Sequence, residues 1–239
     1  MSRLTFLGGT ADISVLEVQS NGNLKSLAAP SGGPWGGTNV DRHFDAFILE
    51  MFGKDVMDAF SEECKPEELE LHRMFECKKR YVQSDDETVY MKLPHDLYEV
   101  FEEKKQERFD VSLSRSDLSQ TVSKKRDILH IDSIHFRKMF DEAKNQLLDH
   151  VEKELSSPKL KDVKNIIMVG GFSESEIMEK AVRDKFTPKG YEVIVPEGAG
   201  LAVVKGVMLC QIHCNTNLSL TFSVRHFRPP SVLQDGMSS

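Results

Sequence analysis

The sequence predicts an α/β fold of element order βββαβαβα, with a smaller inserted α+β subdomain. Three observations predict it. Apolar residues alternate within the first thirty positions, as they do in half-buried strands. Later in the chain, a continuous apolar run precedes a glycine pair, which is typical of a strand buried on both faces. Several stretches also carry apolar residues at helical spacing.

The first elements precede residue 38. Residues 4–7 are a short apolar segment, and residues 11–18 alternate as a mostly buried strand does. An Asn-Gly pair at 21–22 is a tight-turn signal, so residues 24–29 are expected to return as a third strand. The stretch 30–37 is rich in glycine and proline and predicts a sharp loop without regular structure.

The middle of the chain predicts the smaller subdomain. One helix face is formed by Val40, Phe44, Phe47, Ile48, Met51 and Phe52. A second helix opens at Pro66 and carries Leu69, Leu71, Met74 and Phe75. A strand over 88–93 and a short helix over 97–103 follow. Residues 104–126 are polar and weakly patterned, with a strand predicted around Val111 and Leu113.

The last part predicts alternating helices and strands. A long helix carries the stripe Phe136, Phe140, Ala143, Leu147, Val151 and Leu155. Residues 166–169 predict a buried strand, and Ser173 with Glu176 predicts a capping box that starts the next helix. A strand over 193–195 and a buried helix over 199–209 complete the order.

The element order sets the expected domains. Residues 1–38 and 127–212 are expected to form the core, 39–126 the inserted α+β subdomain and 213–239 an irregular tail. Without the insert, the order resembles one ribonuclease-H-like lobe of the actin-like nucleotide-binding proteins. In that class two such lobes hold a nucleotide between them, although other α/β domains also produce this order.

Composition limits the class of partner and the compartment. The 239 residues include 38 acidic and 31 basic side chains, a formal net charge of −7. This balance argues against nucleic acid or an anionic membrane as the main partner. No apolar run approaches the ~18 residues that span a bilayer, and no signal peptide is visible at the start of the chain. With four cysteines and no export signal, we expect a cytoplasmic protein with reduced thiols.

Three glycine pairs are candidate phosphate or nucleoside contacts: Gly8-Gly9, Gly36-Gly37 and Gly170-Gly171. Glycine lets backbone N–H groups approach an anion closely. Each pair taken alone is equally well a simple turn.

Together with their neighbours, these pairs resemble motifs of the 70-kilodalton heat-shock protein family. Residues 8–14 resemble its second phosphate loop, Asp-x-Gly-Gly-Gly-Thr-x-Asp, and 36–41 resemble its Gly-Gly-x-x-x-Asp loop. Residues 76–80 resemble its adenosine-contacting Glu-x-x-Lys-Arg helix, 169–175 its Val-Gly-Gly turn and 199–206 its closing helix. The order and spacing of these motifs fit the family over about residues 4–210. The residues of the last two motifs most resemble those of the 12A/12B subfamily.

The resemblance implies a site for ATP or ADP with Mg²⁺. The implied nucleotide contacts are Gly8, Gly9, Thr10, Gly36, Gly37, Glu76, Lys79, Arg80, Gly170 and Gly171. Glu76 would bind the ribose, Lys79 and Arg80 would flank the adenine, and Asp12 would be the acidic group near the metal. The alternative for the helix is a solvated charged face with a Glu–Arg pair, and for the glycines plain turns.

The chain also departs from the family pattern. Thr5 replaces the leading aspartate of the phosphate loop, Leu7 replaces its first glycine, and Glu174 would repel phosphate. The family's first lobe has no counterpart in these residues. We therefore expect weak binding of the adenosine end, with Mg²⁺ weakly held or lost, and no meaningful hydrolysis by this truncated, chaperone-related domain. Two alternatives stay open: an interaction module that binds co-chaperones or exchange factors through 39–126, and a partial gene product.

Overall fold

A computed structural model of the chain describes residues 2–6, 10–202 and 205. Residues 1–203 form one compact unit. Within the described ranges, no helix has the length and apolar character needed to cross a membrane. The predicted tail over 213–239, and most of the predicted helix over 199–209, lie outside the described residues.

The elements follow one another from strands to helices and back. In chain order they are β1 (Ser2–Phe6), β2 (Ala11–Val18), β3 (Leu24–Ser26), β4 (Ser31–Gly33), α1 (Gly37–Phe52), α2 (Lys54–Glu63), α3 (Lys65–Tyr81), β5 (Thr88–Lys92), α4 (His95–Lys105), α5 (Phe109–Ser114), β6 (Val122–Lys125), β7 (Ile128–Asp132), α6 (Ser133–Met139), α7 (Asp141–Leu155), β8 (Val163–Met168), α8 (Glu176–Phe186) and β9 (Glu192–Ile194).

The larger of the two described sheets has the order β3-β2-β1-β8-β9, with β4 also paired to β2. Strand β1 lies between an antiparallel neighbour, β2, and a parallel neighbour, β8. Strand β2 buries alternate residues, among them Ala11, Ile13 and Val15, as the sequence pattern predicted. Because β8 and β9 are parallel, their carboxyl ends lie at the same edge of the sheet.

Strand β4 corrects the prediction of an irregular loop over 30–37. Residues 31–33 pair with β2, where Asp12 lies opposite Gly32. A Cβ atom on Gly32 would lie 1.9 Å from the Ala11 carbonyl oxygen, and Gly32 has a φ of 153°. Glycine therefore makes this pairing possible because it has no side chain, although the same residue suggested a loop in the sequence.

The smaller sheet is antiparallel, with the order β5-β7-β6, and it contacts helices α3, α5 and α6. Here two predictions were wrong. Residues 109–114 form helix α5, not a strand near Val111, and Leu69 of α3 is 51% exposed instead of buried. Phe109 and Leu113 are the buried pair, at the i, i+4 spacing of a helix.

The helices after the smaller sheet differ from prediction in their boundaries. The predicted long helix is divided at Phe140 into α6 and α7. The capping box is absent: the Ser173 hydroxyl donates to the Val169 carbonyl oxygen at 2.8 Å, and Glu176 accepts from Ser84. A 3-10 turn over Gly171–Glu174 delays the start of α8.

Candidate functional site

Three segments that lie far apart in sequence meet at one pocket of about 190 Å³. They are the start of α1, the last turns of α3 and the turn that follows β8. The lining residues are Gly37, Thr38, Asp41, Glu76, Lys79, Arg80, Gly171, Phe172 and Ser175. Five of the residues predicted from sequence therefore lie around one cavity: Gly37, Glu76, Lys79, Arg80 and Gly171.

At the glycines of the pocket, the backbone lies close to the basic side chains of α3. A Cβ atom on Gly37 would lie 3.2 Å from Lys79 Nζ, and one on Gly171 would lie 3.5 Å from an Arg80 guanidinium nitrogen. Gly170 has a φ of 91°, in the region that favours glycine, and its N–H donates to the Ala199 carbonyl oxygen at 2.7 Å. The two glycine turns thus bring backbone up to the basic residues of α3.

Lys79 is the buried cation of the site, with 5% exposure. Its Nζ lies 2.6 Å from Asp41 Oδ1 and 2.5 Å from Glu76 Oε1. Such a charge is held in a protein interior by paired carboxylates. The Lys79 ammonium therefore ties α3 to α1, and its charge is already compensated.

Arg80 lies at the rim of the pocket. Its side chain is 45% exposed, and its guanidinium lies 3.7 Å from Glu174 and 4.0 Å from Glu76. Pairs at these distances and exposures hold a side chain loosely. The planar guanidinium can therefore stack on a flat ligand.

Glu174 follows the glycine turn and has two partners that oppose its charge. Besides Arg80, its Oε1 accepts a hydrogen bond of 2.8 Å from the Gly200 N–H. Residues 199–202 are helical, so this carboxylate lies at a helix start, where negative charge is favoured. Glu174 therefore joins the closing segment to α3, and its charge is partly offset.

Four lining residues were not among the site residues predicted from sequence: Thr38, Asp41, Phe172 and Ser175. Phe172 is partly buried, and its ring is stacked against Phe140 with a centroid separation of 6.2 Å and an angle of 6°. Ser175 is 1% exposed, and its Oγ has no hydrogen-bond partner among the described residues. The only sequence signal for these four residues was their position within the motifs over 36–41 and 169–175.

Four other predicted residues that the structure describes do not line this pocket: Thr10, Asp12, Gly36 and Gly170. Gly8 and Gly9 lie outside the described residues. Thr10 and Asp12 are exposed and bond to each other, the Thr10 hydroxyl donating to Asp12 Oδ2 at 2.9 Å. Gly36 is the residue before α1, and Gly170 precedes the lining turn. Over the described ranges, no group of three or more His, Cys, Asp or Glu side chains could hold a metal ion.

Comparison with known proteins agrees with the motifs. The family model described as Hsp70 protein matches residues 5–220. Over 204 residues the chain is 28% identical to human heat shock 70 kDa protein 12B. It is 26% and 25% identical to mouse and human heat shock 70 kDa protein 12A over the same length. Each match covers 84% of this chain and 30% of the relative, so the chain spans less than a third of the length of these proteins.

Proposed function

The chain belongs to the Hsp70 protein family, with relatives in its 12A and 12B members, and we propose that its pocket binds the adenosine end of ATP or ADP. The family implies an actin-like ATPase fold, and its members use ATP or ADP with Mg²⁺. One observation carries the proposal: three segments that resemble the family's nucleotide-contacting motifs line one cavity.

The lining offers complementary chemistry to a nucleoside. Glu76, whose side chain is 46% exposed, can accept hydrogen bonds from ribose hydroxyls. The Arg80 guanidinium and the Phe172 ring can contact the faces of a flat base. A pocket of about 190 Å³ is small, because sites for drug-sized ligands have roughly 300–1,000 Å³. The pocket therefore suits part of a nucleotide.

Charge in the pocket does not favour phosphate. Among the lining residues, Asp41 and Glu76 balance Lys79 and Arg80, and Glu174 adds a further negative charge beside Arg80. We therefore expect phosphates to add little affinity. Micromolar binding of a nucleotide corresponds to a binding free energy of roughly −8 kcal/mol. If this site keeps half of that free energy, its Kd is about millimolar.

We further propose that the 239-residue polypeptide does not hydrolyse ATP by itself. Hydrolysis needs an in-line water, a metal and charge stabilisation. Thr5 stands where the family's phosphate loop has aspartate, and Mg²⁺ prefers carboxylate oxygens. Asp12 is the acidic residue that the motif leaves for the metal, and over the described residues it is not part of a cluster of three or more metal-ligating side chains. Loss of one stabilising group typically costs about 10²–10³ in rate.

Isothermal titration with adenosine, and separately with ATP, tests the binding proposal. We expect both ligands to bind with a Kd near millimolar. Arg80→Ala removes the exposed stacking group and should weaken both about two- to tenfold. Arg108→Ala, a control at a 70% exposed arginine outside the pocket, should leave both unchanged. Absence of heat with the folded wild-type chain would contradict the proposal, and micromolar binding of ATP alone would contradict its adenosine-end form.

The division of the chain is part of the proposal. We place the nucleotide-binding core in residues 1–38 and 127–212, and the inserted α+β subdomain in 39–126. The exception is strand β7 (Ile128–Asp132), which we assign to the insert because among the described strands it pairs with β5 and β6. The remaining core is the part that we propose to form the βββαβαβα lobe.

The distribution of charge favours a second candidate function, binding of a co-chaperone or exchange factor through 39–126. Residues 45–72 contain nine acidic and two basic side chains, a net charge of −7, the same as the whole chain. They surround an apolar groove of about 390 Å³ that includes Leu49 and Met57. A purified exchange factor of the family should bind more weakly as NaCl is raised, because exposed charges are screened. Failure to bind at low salt would contradict this candidate.

A further inference from the structure

Ser175 is one of the buried polar residues whose hydroxyl bonds to no described residue. The residue is 1% exposed, and its Oγ has no partner among the described residues. It immediately precedes α8, where a serine usually accepts a hydrogen bond from a backbone N–H of the first turn. Here the side chain makes no such bond. Ser175 therefore carries the cost of a buried, unpaired hydroxyl without stabilising its helix.

The neighbouring serine shows that this turn can satisfy a hydroxyl. Ser173 is also buried, at 5% exposure, and its hydroxyl donates to the Val169 carbonyl oxygen at 2.8 Å. Ser173 does not line the pocket, whereas Ser175 does. Of these two serines, the one with the unpaired hydroxyl is therefore the one that lines the cavity.

The pocket around Ser175 fits a flat heterocycle. Phe172 contributes an aromatic ring to the lining, and Gly171 contributes backbone without a side chain. A serine hydroxyl can donate one hydrogen bond and accept others, so it can bond either a ring nitrogen or an amino group. Lys79 already pairs with both Asp41 and Glu76, whereas the Ser175 hydroxyl has no partner among the described residues.

We propose that Ser175 is a specificity-determining contact of this pocket and that its hydroxyl bonds the polar edge of a purine base. The inference rests on the proposed adenosine site and deepens it. Ligand binding pairs a group that is unpaired in the free protein, so the interaction stabilises the complex and not the free chain. A site that hydrogen-bonds its ligand also rejects analogues that lack the bonding group.

This role predicts that Ser175→Ala shifts stability and affinity in opposite directions. Removing an unpaired buried hydroxyl should raise the melting temperature of the free protein by about 2–4 °C. Loss of the hydrogen bond should raise the Kd for adenosine about two- to tenfold. The measurements are thermal unfolding without ligand and isothermal titration with adenosine.

Ser133→Ala is the matched control. Ser133 is also 1% exposed with an unpaired Oγ among the described residues, but it does not line the pocket. The variant should gain stability similarly and keep the wild-type affinity for adenosine. Unchanged affinity, or lower stability, in Ser175→Ala would overturn the role of Ser175 and leave the proposed function standing. Failure of the wild-type chain to bind adenosine would overturn both.

Discussion

Lys79 and Arg80 are adjacent in sequence but have different surroundings. The Lys79 side chain is 6% exposed and contacts two carboxylates, whereas the Arg80 side chain is 45% exposed at the rim. The resemblance implies that both flank an adenine, and this stays a prediction. In the structure the Lys79 ammonium joins α3 to α1 through its carboxylate contacts, whereas Arg80 has only longer ion-pair contacts at the rim.

This difference predicts that Lys79 contributes more to the free energy of unfolding than Arg80 does. Lys79→Met should lower the free energy of unfolding by about 1–3 kcal/mol, because Asp41 and Glu76 are left without their buried cation but stay partly hydrated. Arg80→Ala should lower it by less than about 1 kcal/mol. Chemical denaturation of both variants measures these values. Equal losses in the two variants would contradict the assignment.

The partners that offset the charge of Glu174 cannot be identified from its residue type. From its charge, a carboxylate beside a candidate phosphate site predicts repulsion of phosphate. Its effect also depends on the Gly200 N–H, 26 positions further along the chain, and on the Arg80 guanidinium. Neither partner can be identified from the residues next to Glu174, since tertiary packing brings them together.

At the scale of elements, prediction succeeded where burial follows one clear period. The alternation in β2 and the apolar stripe of α1 both correspond to buried faces in the structure. The continuous apolar run within β8 is likewise buried at Ile166 and Met168. In these segments local preference and tertiary packing favour the same conformation.

Elements with short or weak patterns were missed. Helix α2 buries Val56, Ala59 and Phe60 at helical spacing, but it is short and was not predicted. Strand β6 lies in the polar stretch 104–126, and β6 and β7 are positioned by pairing with each other and, for β7, with β5. Pairing partners distant in sequence cannot be read from a local pattern.

The candidate site was predictable in its motifs more than in its contacts. Gly37, Glu76 and Gly171 were assigned from short motifs, and the structure brings them to one pocket. Phe172 and Ser175 were not assigned, because their residue types differ from the family pattern and only the cavity shows their position. Binding by all these residues stays a prediction.

At the scale of the molecule, one compact unit, residues 1–203, contains the proposed insert and the proposed core as far as residue 203. The proposed core contains a fluorescent reporter of unfolding, and the proposed insert contains a buried side chain that can be substituted. Trp35 is the only tryptophan of the chain and lies against His150, with ring centroids 4.8 Å apart. Phe52 lies in the proposed insert, stacked on Phe109 at 4.5 Å and next to Phe101 at 5.9 Å. The two regions therefore allow a test of whether core and insert unfold together.

We expect one cooperative transition, followed equally by Trp35 fluorescence and by far-ultraviolet circular dichroism. Phe52→Ala removes a ring that is 1% exposed and should cost about 3–5 kcal/mol of stability. In a cooperative unit this loss must lower the midpoint seen by Trp35, although Trp35 lies outside the insert. Leu24→Ala, at a 59% exposed residue, should move neither midpoint appreciably. A contradicting result would be an unfolding midpoint by Trp35 fluorescence that Phe52→Ala does not change, together with an earlier, separate transition by circular dichroism. That result would mean that the insert unfolds independently. The part of the pocket formed by α1 and α3 could then be lost while the core stays folded, and adenosine binding would report on the insert's stability.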